Sequence, residues 1–76
     1  MTMRELLSEN INIGNDGSPY LSVIGRDEDS PQWYDIVSGN EICKESEKLL
    51  DREVISWRLS FDMQDIDVVM ITVIFR

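Results

Sequence analysis

Carboxylates are the reactive groups this chain has in number: 15 of its 76 residues are Asp or Glu, against 7 Lys or Arg and no His, for a formal charge of -8. Asp62, Asp65 and Asp67 gather in one short segment. They lack the Gly and the terminal Glu with which a calcium loop wraps its ion, so they read as solvated turn residues. A paired-carboxylate hydrolase needs two acids held across a cleft, one with its pKa raised by burial, and no spacing here marks such a pair. Nuclease chemistry would set acids beside a lysine at a strand edge. Lys44 and Lys48 instead fall among Glu41, Glu45 and Glu47, a pattern of surface charge pairing. Cys43 is the single cysteine, with no His to activate it and no second thiol for a disulfide or a CxxC metal site, so it reads as a small buried apolar residue. Gly14 and Gly17 precede Pro19 and a strand-like run rather than a helix, which excludes a phosphate loop. The chain therefore reads as non-enzymatic, with no cofactor and no metal implied.

The remaining candidates serve recognition. Asp27, Glu28 and Asp29 are consecutive acids that repel one another unless a cation or a basic partner neutralises them. They form either a plain solvated turn or a contact for a basic surface. Trp33 and Tyr34 follow, with Asp35 next to them. Aromatic residues supply contact area and acids steer a basic partner, so the group has the composition of a protein-binding hot spot. The competing arrangement has Trp33 capping the sheet edge and Tyr34 packing inward. The candidate partner-binding residues are Asp27, Glu28, Asp29, Trp33, Tyr34 and Asp35.

The elements that must position them begin with Thr2, which has the capping-box spacing to Glu5, and with Met3, Leu6 and Leu7 on one face of a two-turn helix. Residues 10–13 alternate as a strand before the turn residues Gly14, Asn15, Asp16 and Gly17. Residues 20–24 form the next strand, with Tyr20, Ser22 and Ile24 on one side and Leu21 and Val23 on the other. Residues 25–32 read as an exposed loop, residues 33–37 as a strand ending at Ser38 and Gly39, and residues 41–50 as a polar helix with Ile42, Cys43, Leu49 and Leu50 as its narrow apolar stripe. In residues 53–61, Ile55, Trp57, Leu59 and Phe61 alternate with Ser56, Arg58 and Ser60, the period of a strand with one wet face, which places Trp57 and Phe61 in the core. Residues 68–75 are apolar at every position but Thr72, as in a strand covered on both faces, at the centre of a sheet or at a subunit interface. The last two strands form an antiparallel hairpin. The expected fold is α+β, one domain over residues 1–76, an antiparallel sheet of four or five strands in the order α-β-β-β-α-β-β with the helices on one face.

With 42% hydrophobic residues the chain can build a core. Burial at ~25 cal/mol/Å² contributes roughly 120 kcal/mol and ordering costs roughly 115, so the two nearly cancel and association with a partner would add useful stability. The acidity disfavours direct contact with nucleic acid or an anionic membrane, and no run of about 18 apolar residues is present to span one. No secretory signal pattern opens the sequence, which implies a cytoplasmic protein. Residues 1–38 hold seven acids against Arg4 and Arg26, about -5, and the rest about -3, so the excess leans toward the first half.

Met3-Arg4-Glu5-Leu6-Leu7 and Leu49-Leu50-Asp51-Arg52-Glu53-Val54 resemble a loose group of small acidic accessory proteins of phages and prophages of Gram-positive bacteria. The resemblance follows the order of elements along the whole chain and its motifs cover about a dozen residues. It implies an inhibitor of a host nucleic-acid-binding effector, anti-CRISPR proteins being a recurrent theme, and carries over no catalytic residue. A protein of that kind imitates nucleic acid by presenting carboxylates to a basic groove in the host cytoplasm. The alternative is an assembly module whose strand Val68–Phe75 pairs with a second copy to form a homodimer.

Overall fold

The computed structural model describes residues 1–10, 20–39, 41–61 and 68–76. The expected strand at 10–13, its turn at 14–17 and the acidic segment 62–67 with Asp62, Asp65 and Asp67 lie outside the described residues, apart from Asn10, which ends the first helix.

The helix α1 (Met3–Asn10) opens with the capping box read from the sequence. The Thr2 N–H donates to Glu5 Oε1 at 3.0 Å and the Glu5 N–H donates back to Thr2 Oγ1 at 3.2 Å. Its face of Met3, Leu6 and Leu7 is buried. Five strands form one sheet in the spatial order β3-β2-β1-β5-β4: β1 (Tyr20–Asp27), β2 (Trp33–Ser38), β3 (Glu41–Ile42), β4 (Val54–Phe61) and β5 (Val68–Phe75). The fold is α+β, with the order α-β-β-β-helix-β-β among the described residues. Three ladders are antiparallel, but β1 and β5 run parallel at the centre, with Leu21 beside Val69 and Val23 beside Ile71.

Leu21 and Val23 of β1, Val69, Ile71, Val73 and Phe75 of β5, and Ile36 and Val37 of β2 point to one side and meet α1 and Leu49–Leu50 in a single core. Ile36 and Val37 are adjacent, yet both are buried. The register between β1 and β2 slips at this point, from Val23 opposite Val37 to Ile24 opposite Asp35, and the extra residue turns inward.

Three sequence expectations are corrected. The segment read as a loop from Gly25 begins only after Asp27, because Gly25 continues β1 and is buried. A Cβ there would lie 3.1 Å from Phe75 Cε1, so the missing side chain makes room for that ring. The helix expected over 41–50 is split into β3 and a 3-10 helix, Lys44–Leu49, joined by extended Cys43. Its buried residues are Ser46 and Leu49, three apart, which is the period of a 3-10 helix, whereas Ile42 is exposed. Finally, Ile55, Trp57, Leu59 and Phe61 are all exposed, so Trp57 and Phe61 are not core residues.

β5 is central, as its composition suggests, but its faces are unequal: every second residue is buried and the others are half-buried. No helix among the described residues is long and apolar enough to cross a membrane.

Candidate functional site

The loop after β1 is held by its own backbone. Asp27 Oδ1 accepts the Asp29 N–H at 2.8 Å, and Arg26 Nη1 donates to the Ser30 carbonyl at 2.9 Å. The three acids of this loop differ sharply in what neutralises them. Asp27 Oδ2 accepts a 2.6 Å hydrogen bond from Arg52 Nη2, and Arg52 also lies 5.3 Å from the centre of the Phe75 ring. The Asp29 N–H, and after it Arg52, hold the Asp27 carboxyl below the usual carboxylate range. Glu28 stands 3.9 Å from Arg76 Nε, which is equally far from Glu53. Asp29 is the one of the three whose carboxylate makes no ion pair among the described residues. Within the cluster, then, Asp27 is matched by Arg52, Glu28 shares Arg76 with Glu53, and Asp29 has no ion pair among the described residues.

Trp33 and Tyr34 diverge as adjacent strand residues must. Tyr34 pairs with Gly25 and packs, half-buried, against the core. Trp33 pairs with Arg26 on the opposite side and is 47% exposed, with the Arg26 guanidinium 5.6 Å from its ring centre. Asp35, exposed and without an ion pair among the described residues, shares the Trp33 side through its pairing with Ile24. Of the six candidates, Trp33 and Asp35 thus share the outward side of β2, Glu28 and Asp29 are exposed on the preceding loop, Asp27 is engaged internally and Tyr34 belongs to the core side.

The Asp35 carbonyl accepts a 2.6 Å hydrogen bond from buried Ser46 Oγ, which ties the 3-10 helix to β2. A shallow hollow of about 240 Å³ lies alongside, lined by Trp33, Asp35, Cys43 and Glu45 among others. Cys43 is half-buried, and burial together with Glu45 and Asp35 raises its thiol pKa, so it stays protonated and a poor nucleophile. Among the described residues no three His, Cys, Asp or Glu side chains are grouped to hold a metal ion.

The sheet face away from α1 carries Ser22, Ile24 and Arg26, then Met70, Thr72 and Ile74, then Ser56, Arg58 and Ser60, by the register of β1, β5 and β4. Arg26 and Arg58 are balanced on this face by Asp35 and by Glu41, which pairs with Ser38, so its described part carries no net charge in a chain of -8. The negative excess of the described residues therefore lies off this face.

A second surface was not foreseen. On β4, Trp57 pairs with Val73, Leu59 with Ile71 and Phe61 with Val69, so these three side chains stand on the core side beside fully covered neighbours. They are nevertheless 45%, 46% and 63% exposed, because neither helix reaches over them. Their alternation with Ser and Arg is the same whether or not something lies on top, so periodicity could not reveal it. The usable signal was proportion: two short helices are too little roof for five strands.

These features define an α+β sheet protein with one roofed core, an acidic loop and a bare edge strand. No protein-family model matches the chain, and no curated protein and no solved structure is found to match it either.

Proposed function

We propose that this chain is a non-enzymatic binding protein that docks on a basic surface of another protein, as a phage-type inhibitor of a host nucleic-acid-binding effector would. Such a role would be exercised in the host cytoplasm. The observation that supports it is Trp33, nearly half exposed, with Asp35 on the same side of β2 and without an ion pair among the described residues. A large aromatic anchor with an available carboxylate on its side of the strand suits a partner that presents Lys or Arg around an apolar pocket. Asp27 contributes by shaping the loop, since its own charge is already matched by Arg52.

The test is capture from host lysate at low and high salt with the wild-type chain and with Trp33→Ala and the double variant Asp29→Asn, Asp35→Asn. The reading expects a captured protein that is retained at low salt, lost at high salt and lost with either variant. Equal recovery by all three chains removes these residues from the account.

A second reading, an assembly module that associates with its own copies, is favoured by the bare row on β4. The C-terminal strand Val68–Phe75 offers no such edge, because β1 and β4 occupy both of its hydrogen-bonding sides.

A further inference from the structure

β4 is an edge strand, and from Ile55 to Phe61 its outer side pairs with no described strand. Natural sheets protect such an edge with Pro, Lys, inward-pointing charge or a covering loop, since a free ladder of N–H and C=O groups invites another strand. This one has a bulge at its start, between Val54 and Ser56, and after that a regular run with no Pro, Gly, Lys or acid. Approach of a second acidic copy meets no acid along this run, because Arg58 is its only charge. A basic partner would be drawn to the acidic loop and Asp35 instead.

We propose that β4 pairs antiparallel with β4 of a second copy, about a two-fold axis through Leu59, to give one ten-stranded sheet. A two-fold axis normal to the sheet keeps each residue on its own face, so the axis must pass at a residue, and three positions near the middle of the free run are available. Centred on Arg58, the two guanidinium groups would face each other directly. Centred on Trp57, Phe61 would need to lie opposite the partner's Glu53, where the outer side is already taken: Thr2 bridges Glu53 and the Val54 N–H donates to the Met1 carbonyl at 2.8 Å. Centred on Leu59, Leu59 meets its own copy, Trp57 meets Phe61 and Arg58 meets Ser60. That register joins aromatic to aromatic and charge to hydroxyl, and it stops short of the N-terminal segment.

The bare side chains would then cover one another as two adjoining halves of a widened apolar face. At ~150–250 Å² for a large side chain, about half of it available here, the three side chains of each copy together offer on the order of 600 Å² to the pairing, before the backbone is counted. That lies below the range of stable interfaces, so the dimer is a weak one that forms only at high concentration. Neither Trp33 nor the acidic loop takes part in the joined edge, so the dimer and the basic-partner reading stand or fall separately.

Sedimentation velocity from about 1 to about 200 µM spans the range in which such an interface forms. The wild-type chain is expected to pass from monomer to dimer across it. Leu59→Lys sets two ammonium groups face to face and is expected to raise the dissociation constant on the order of a hundredfold or more; circular dichroism checks its fold, which an exposed residue should not disturb. In a Cys43→Ser background, Leu59→Cys is expected to form an interchain disulfide on mild oxidation, and Arg58→Cys to form little. A wild-type monomer throughout overturns the proposal. So does a dimer that survives Leu59→Lys, since it must use another surface, and so does cross-linking through residue 58 in preference to 59.

Discussion

Ile71 and Leu59 face each other across one ladder and point to the same side of the sheet, yet Ile71 is fully buried while Leu59 is 46% exposed. The same contrast holds for Val73 beside Trp57 and for Val69 beside Phe61. The strands are equally long, adjacent and apolar on this side. What separates them is the roof. Among the described residues, α1 and the 3-10 helix close the core over β1, β2 and β5 and leave a margin open. The 3-10 helix is held over β2 by Ser46, which puts that margin at the opposite edge, on β4. Alternation therefore states which way a side chain points and says nothing of what covers it.

The contrast breaks most plainly by truncation. Ile71→Ala is expected to lower the unfolding free energy by about 2–4 kcal/mol, because the surrounding core cannot close on the space, while Leu59→Ala should cost under about 1 kcal/mol in dilute monomer. Urea unfolding followed by tryptophan fluorescence measures both, and equal losses would mean that β4 is covered after all. Gly25→Ala tests how tightly the roofed half is filled: with Phe75 Cε1 3.1 Å and Ile36 Cγ1 3.4 Å from the added carbon, a loss of about 1–3 kcal/mol is expected. Ser46→Ala removes the hydrogen bond that holds the 3-10 helix over β2, and a loss of about 1 kcal/mol by the same measurement is expected.

The smallest effect concerns acid. Asp27 titrates below its ordinary range in the folded chain, so under acidic conditions the unfolded state binds the proton more readily. Its stabilising contribution is complete above the unfolded carboxylate range, near pH 4, and is lost as the pH falls through the depressed folded value. The urea midpoint of the wild-type chain should fall across that window, and the fall should be shallower in Asp27→Asn. An identical slope in the variant would show that Arg52 and the Asp29 N–H do not favour the charged form.

Much of the frame was legible because it depends on neighbours in sequence. Thr2 and Glu5 announce α1, Leu21 and Val23 share one side of β1 as expected, and the long apolar run of β5 placed it inside the sheet. The opposite orientations of Trp33 and Tyr34 followed from strand geometry, and the structure has Tyr34 against the core and Trp33 outward. The candidate site was legible only as a list of charges. Nothing near Asp27 in sequence announces Arg52, 25 residues away, and no local pattern tells Glu28 that Arg76 will lie beside it.

By itself the sequence determined the acidity, the α+β order of elements and the alternation along β1, since composition, capping and period are properties of contiguous residues. Tertiary structure alone decided that β1 and β5 run parallel, that Asp27 of the acidic loop is matched by Arg52 from a distance, and that Trp57, Leu59 and Phe61 lie bare. Each of these depends on which surfaces a folded chain brings together and how far they reach, and burial is a property of that meeting rather than of any residue within it.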